Sequence, residues 1–374
     1  MTDRAPRRIA CVFGTRPEIV KMAPVVHALR AGGRATPLLV DTGQHRELVT
    51  ETMAMFGLAS DVALDLMQPG QRLAGFFGRC VEALDRALAD LAVDAVVAQG
   101  DTSTMLAAAL VAFYQRLPFF HVEAGLRTGD MRQPFPEEMN RTLASRMAMV
   151  HFAPTQWAAD NLRKEGIDEA SIAVTGNTVI DALHYMRQQR VPHDVARTRG
   201  SRLIVVTAHR RENFGAPFER MLQALARIAA THPDIEIVYP AHPNPEVRRA
   251  IASVPGLGDA IRIVEPLPYA PFVTLMGDAY LIITDSGGIQ EEASALGKPV
   301  LVMRECTERP EAIAAGVARL VGSDTDAIVE EASRLLDDAS HYRRMAQPSS
   351  PYGDGHAAER IAARIVGELD ARRA

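Results

Sequence analysis

Three carboxylates in the first half of the chain stand just beyond short apolar runs: Asp101 after DAVVAQG, Glu123 after FFHV, and Glu137 in PFPEEMNR with Arg141 one turn further on. Carboxyl groups gathered with cations such as Lys21 and Arg141 are equipment for acid–base chemistry, because a nearby charge decides which carboxyl keeps its proton. Each also has a plainer reading, Asp101 as a helix cap and Glu137 with Arg141 as an i,i+4 pair. The first apolar run passes into Phe13-Gly14-Thr15-Arg16-Pro17-Glu18, where Thr15 and Glu18 have capping-box spacing and Gly14 permits a tight turn. Arg16 and Lys21 near that helix start suit a pyrophosphate or another anion. The string is neither GxGxxG nor a Walker loop, so it carries no nicotinamide or ATP signature.

The second half offers two more anion sites. Thr284-Asp285-Ser286-Gly287-Gly288 opens the helix Ile289-Gln290-Glu291-Glu292, whose exposed backbone N–H groups would cradle phosphate while Glu291 or Glu292 accepts from ribose hydroxyls. The alternative is a glycine-rich turn with a solvated acidic helix start. His209-Arg210-Arg211-Glu212-Asn213 follows RLIVVTA and reads either as a surface charge cluster or as a second anion contact. His121-Val122-Glu123 echoes the start of a zinc deaminase signature, but no PCxxC follows. The histidines at 45, 151, 232 and 242 show no HxxxH spacing, and no metal is expected.

Such groups need rigid elements to hold them. RIACVF, TPLLVD, DAVVAQ, FFHVE, VHFAP and SIAVT alternate with helical stretches, which predicts a parallel sheet with helices on both faces. RLIVVTA, IEIVYPA, IRIVEP, AYLIITD, KPVLVM and ARLVG repeat the pattern, and the polar HYMRQQRVPHDVARTRGSR joins the two series. The expected architecture is α/β, with two Rossmann-like doubly wound domains over 1–176 and 177–356. The amphipathic stretch 357–374 is expected to return to the first. The polar strings fall at strand ends, where doubly wound sheets bind ligands, so the site is expected in the cleft between the domains.

A formal charge of −5 argues against neutralising a nucleic-acid backbone or an anionic membrane. The apolar run near the N-terminus is too short for a signal core or a span, and Cys11, Cys80 and Cys306 form no paired framework. A cytoplasmic protein with reduced thiols is expected.

Taken together, FGTRPE, GQHRE, QGDTST, HVEAGLRTGD, PFPEEMNR, TGNTVIDAL, HRREN, TDSGGIQEEA, GKPVLVMRE, TERPEA and SPYGDG resemble, in order from residue 13 to residue 355, the motifs of bacterial non-hydrolysing UDP-N-acetylglucosamine 2-epimerases. The resemblance implies a glycosyltransferase-B-like fold. It also implies interconversion of UDP-GlcNAc and UDP-ManNAc for cell-surface polysaccharide, through elimination of UDP to 2-acetamidoglucal and re-addition, without a cofactor. Position by position it makes Asp101, Glu123 and Glu137 the acid–base set, with Lys21 and Arg141 orienting them or holding developing charge. Arg16, His209, Ser286, Gly287 and Gly288 become diphosphate contacts, His209 also counting among the catalytic groups, with Phe272 at uracil and Glu292 at ribose.

Gln44, Gln71, Arg210 and His242 match positions associated in the family with a second, activating UDP-GlcNAc, although Gly70 and Glu47 depart from some relatives. Gln99 stands where histidine is frequent, and Cys306 where threonine is usual. A homodimer is implied as well. Competing readings are an epimerase of a modified UDP-sugar, a hydrolysing 2-epimerase, a glycosyltransferase of the same fold, and a sugar-nucleotide-binding regulator.

Overall fold

A computed structural model describes residues 5–44, 46–68, 70–195, 201–210, 213–254, 256–347, 349 and 351–372. Three positions singled out above, His45, Arg211 and Glu212, lie outside the described residues. The chain divides into two units, Met1–His184 with Tyr352–Ala374, and Tyr185–Pro351.

The first unit is built on strands β1 (Arg7–Phe13), β2 (Ala35–Asp41), β3 (Val62–Ala63), β4 (Ala95–Gln99), β5 (Phe119–Val122), β6 (Val150–Ala153) and β7 (Ile172–Val174). They form one seven-stranded sheet in the order β3-β2-β1-β4-β5-β6-β7, every pair parallel. Its central strands are apolar on both faces because both are covered, and Ile9 through Phe13 expose nothing. Only β3 was not foreseen, being two residues long and without a readable period.

The second unit repeats the plan with β8 (Arg202–Thr207), β9 (Ile235–Pro240), β10 (Arg262–Val264), β11 (Leu281–Thr284), β12 (Val300–Val302) and β13 (Ala318–Leu320), in the order β10-β9-β8-β11-β12-β13. Its core gathers Ile204, Val206, Phe218, Leu222, Ile283 and Leu301.

Each order reverses once, between β1 and β4 and between β8 and β11. There the following helices leave toward opposite faces, since parallel crossovers are right-handed, and a crevice opens at the strand ends. Gly14–Arg16 and Gly100–Thr102 sit at the first reversal, and Ala208–Arg210 and Asp285–Gly288 at the second.

The C-terminal helix Ala357–Ala371 belongs to the first unit and buries Ile361, Ile365 and Leu369 there. Arg7 donates Nη2 to the Leu369 carbonyl at 2.6 Å, and Asp181 accepts from Ala358 N at 2.8 Å and Ala357 N at 3.3 Å. These bonds hold the segment up to His184 with the first unit, past residue 176 where the sequence pattern placed the join.

At the first reversal Glu18 reaches back to the start of its own helix, Arg16–Ala31, as the capping-box spacing predicts. Burial pushes its carboxyl up to about 7 against the pull of hydrogen bonds from Thr102, Thr15 and Gly14. An unfolded glutamate releases its proton near 4.5. Folding stability therefore falls as pH rises from there through 7, by up to roughly 3 kcal/mol, and levels off above. Glu18→Gln lacks that slope. Urea unfolding between pH 4.5 and 8 should show wild type losing ground to the variant as pH rises, and a constant difference would refute the assignment.

Candidate active site

In the first unit the sequence-predicted groups fall into two pairs. Lys21, one turn into the helix Arg16–Ala31, places Nζ on Glu123 Oε1, and both side chains are buried. Asn177 Nδ2 donates to the same oxygen at 2.8 Å, and Gln99 Nε2 donates to Oε2. The carboxylate is thus held by one cation and two neutral amides, the satisfied arrangement a buried charge requires. Glu123 has a φ of 63°, the left-handed region a non-glycine residue avoids. Its backbone is set against local preference to aim the side chain, as at other functional sites.

Asp101 is the more exposed carboxylate, its side chain 30% accessible and its Oδ2 3.4 Å from Arg141 Nη1. It does not cap the following helix. Thr102 does, accepting from Met105 N at 3.1 Å. Arg141 sits on the helix Glu137–Ala144 and spends Nε, at 2.8 Å, and Nη2 on Glu138. Glu138 is buried and also accepts from Thr128 N and Gly129 N, each at 3.0 Å to Oε1. Glu138 pairs with Arg141 at i,i+3, and Glu137 is half-buried at the helix start.

His121 Nε2 lies 2.7 Å from the Gly100 carbonyl, and burial pushes the imidazole down to about 3. It is a neutral donor bracing the peptide before Asp101. Among the described residues no group of three His, Cys, Asp or Glu side chains is arranged to hold a metal ion.

Arg16 is half-buried as the first residue of its helix. Gly14 is required by close approach, since a Cβ there would meet Thr42 Oγ1 at 2.1 Å and Thr104 Oγ1 at 2.8 Å. Gln44 lies beside this turn with Oε1 buried and unpartnered among the described residues, whereas Gln71 accepts from Arg79 Nη2.

In the second unit the organiser is Asp285, wholly buried at the end of β11. It accepts from His209 N at 3.0 Å, Arg210 N at 2.8 Å and Asn213 Nδ2 at 3.2 Å. One carboxylate thereby ties the β8 turn to the β11 turn. His209 stacks on His242, ring centroids 5.5 Å apart, so the two histidines assigned separate roles by resemblance are neighbours.

Ser286 stands at the N-cap position of the helix Gly287–Ala295 without a side-chain capping bond, and the first N–H groups of such a helix suit an anion. Glu292 is buried and accepts from Tyr269 Oη at 2.6 Å, and Phe272, on the same helix as Tyr269, is half-buried.

Beneath the terminus lies a charge network that sequence reasoning missed. Arg309 donates Nε to Glu291 at 2.7 Å and pairs with Glu308, which Arg304 meets at 3.0 Å and Arg210 at 4.0 Å. Burial acts to raise the Glu308 carboxyl, but Arg309, Arg304 and Arg210 outweigh it and hold it well below the usual range. A Cβ on Gly287 would meet Arg309 Nη1 at 2.5 Å, so glycine there admits the guanidinium against the helix start. The ERPEA string contained that signal, an arginine just after the last strand-end loop, but nothing in its spacing linked it to Gly287.

Comparison with known proteins agrees with this geometry. A sequence model of the UDP-N-acetylglucosamine 2-epimerase family matches residues 27–366. The UDP-N-acetylglucosamine 2-epimerase of Escherichia coli O157:H7 is 50% identical over 364 residues, covering 95% of this chain and 97% of that protein. The crystal structure of UDP-GlcNAc 2-epimerase from Neisseria meningitidis, bound to UDP-GlcNAc, superposes with a TM-score of 0.92 at 40% identity, covering 96% of this chain and all of that one. A glycosyltransferase from Streptomyces nogalater, 18% identical with a TM-score of 0.57 and coverage of 99% and 100%, shares the fold alone. With two doubly wound sheets of this type and a match along nearly its whole length, the chain belongs to the UDP-N-acetylglucosamine 2-epimerase family.

Proposed function

We propose that the protein interconverts UDP-GlcNAc and UDP-ManNAc in the cytoplasm by expelling UDP, shifting the C2 proton through a 2-acetamidoglucal, and adding UDP back. The C2 proton of the intact sugar has no neighbouring carbonyl to acidify it, so departure of UDP must come first. The reading assigns acid–base work to Asp101, Glu123 and Glu137, and charge control to Lys21 and Arg141. It assigns the diphosphate to Arg16, His209 and the Ser286–Gly288 terminus, the ribose to Glu292 and the uracil to Phe272.

The observation that carries this reading is the buried Glu123, preset by Lys21, Gln99 and Asn177, with Asp101 more exposed beside an arginine that also holds Glu138. Two carboxylates in unlike surroundings suit unlike proton roles.

Incubation with UDP-GlcNAc in deuterated water, followed by proton NMR, should yield UDP-ManNAc deuterated at C2 without accumulating UDP. Asp101→Asn and Glu123→Gln should each lower turnover by about 10²–10⁴-fold while UDP binding stays within a few-fold. Free ManNAc with UDP would mean hydrolysis. An unchanged sugar would favour a transferase or regulator, and near-normal turnover in both variants would remove their assignment.

The reading extends to activation by a second UDP-GlcNAc through Gln44, Gln71, Arg210 and His242. The buried unpartnered Oε1 of Gln44 and the stacking of His242 on His209 support it. UDP-ManNAc conversion should accelerate when UDP-GlcNAc is added, and rates indifferent to it would end the proposal. A homodimer completes the reading, in keeping with exposed Phe113 and Tyr114 on the first unit. Light scattering should return twice the chain mass, and the mass of a single chain would rule the dimer out.

A further inference from the structure

We propose that Glu18 is a positioning residue for the reaction, fixing the turn that carries Arg16 to the turn that carries Asp101 through one buried carboxylate. This rests on the reading above, in which Arg16 and Asp101 act on the sugar nucleotide. A capping box asks a glutamate only to serve its own helix start. Glu18 does so with Oε2, which accepts from Gly14 N at 3.0 Å, Thr15 N at 2.8 Å and Thr15 Oγ1 at 2.8 Å. Oε1 accepts at 2.6 Å from Thr102 Oγ1, 84 residues further along the chain. Thr15 and Thr102 are the N-caps of the helices Arg16–Ala31 and Ser103–Tyr114, so a single side chain joins two helix starts at the sheet reversal.

Thr42 Oγ1 and Thr104 Oγ1, 2.9 Å apart, make a second link across the same crevice wall. From the helix Leu73–Leu91 the Cys80 thiol feels the Glu18 charge, and burial together with that charge pushes it up to about 12, so it stays protonated. With Glu18 1% exposed, water offers no substitute for these bonds.

Four variants test the bridge. Glu18→Ala removes it. Thr102→Val cuts it, together with the Met105 cap that Thr102→Ser retains, while leaving Glu18 on its own helix. Glu18→Gln preserves it, the amide oxygen taking the three donors of the first turn and the amide nitrogen donating to the Thr102 hydroxyl. Thr102→Ser preserves it as well.

Turnover of UDP-GlcNAc should fall about 10–100-fold in Glu18→Ala and Thr102→Val with KM within threefold, because small displacements of reacting groups are costly. Glu18→Gln and Thr102→Ser should stay within threefold of wild type. Amide hydrogen exchange in Glu18→Ala should quicken at residues 14–18 and 102–105 together. Turnover near wild type in both disruptive variants, or exchange quickened at the first turn alone, overturns the proposal. If Glu18→Ala does not fold, Thr102→Val against Thr102→Ser decides. If wild type leaves UDP-GlcNAc unchanged, the reaction reading has failed, and the exchange measurement still decides the bridge.

Discussion

Where β1 lies beside β4, and again where β8 lies beside β11, the backbone cannot close over the strand ends, because the right-handed crossovers on either side carry the next helices apart. What the chain puts into each gap must be held by side chains. Both units solve this with a buried carboxylate. In the first, Glu18 accepts from Gly14, Thr15 and Thr102, and in the second, Asp285 accepts from His209, Arg210 and Asn213. Carboxyl oxygens suit the task, since turns at helix starts present unpaired N–H and hydroxyl donors. The two units share little sequence, and the common device follows from the common topology.

The acid–base groups depend on that scaffold in different degrees. Lys21 and Glu123 are both buried, and a buried pair is strongly destabilised, by roughly 3–5 kcal/mol, when one partner is lost. The neutral donors Gln99 and Asn177 temper this by satisfying the remaining carboxylate lone pairs without adding charge. Lys21 supplies a cation to this shell, and the amide at Gln99 keeps its character at every pH. Asp101 has more water and a longer ion pair, and moves with less consequence for the fold.

Much of this was legible in the residues. Strands of three to seven residues betray themselves by the apolar runs that contain them, and the strings at their ends by being polar where the chain had just been apolar. Hence twelve strands, the capping box at Thr15 and the terminus at Ser286 were all readable. Partner choice was not. Helical geometry permits Arg141 to meet a carboxylate three or four positions back, and spacing alone does not show that Glu138 is pinned beside it by the Thr128 and Gly129 amides. Glu18 to Thr102 and Gly287 to Arg309 are contacts between distant segments, set by sheet order and invisible to spacing. The join after residue 176 was misplaced for a similar reason, since Asp181 is bound by the start of the final helix.

The second unit raises the question of what charge meets a diphosphate there. Arg304 and Arg309 pair with Glu308 and Glu291 under the helix start at 3.0 and 2.7 Å, and Arg210 stands 4.0 Å from Glu308. Beside cations so largely paired with carboxylates, oriented N–H groups and the helix dipole are a main attraction for an anion at the terminus. In the proposed reaction such an arrangement suits a leaving group that must depart and return, because fixed dipoles stabilise an anion without the grip of an unopposed arginine cluster. Glycine at 287 is what lets this form, since a Cβ there would meet Arg309 Nη1 at 2.5 Å and separate the guanidinium from the helix start.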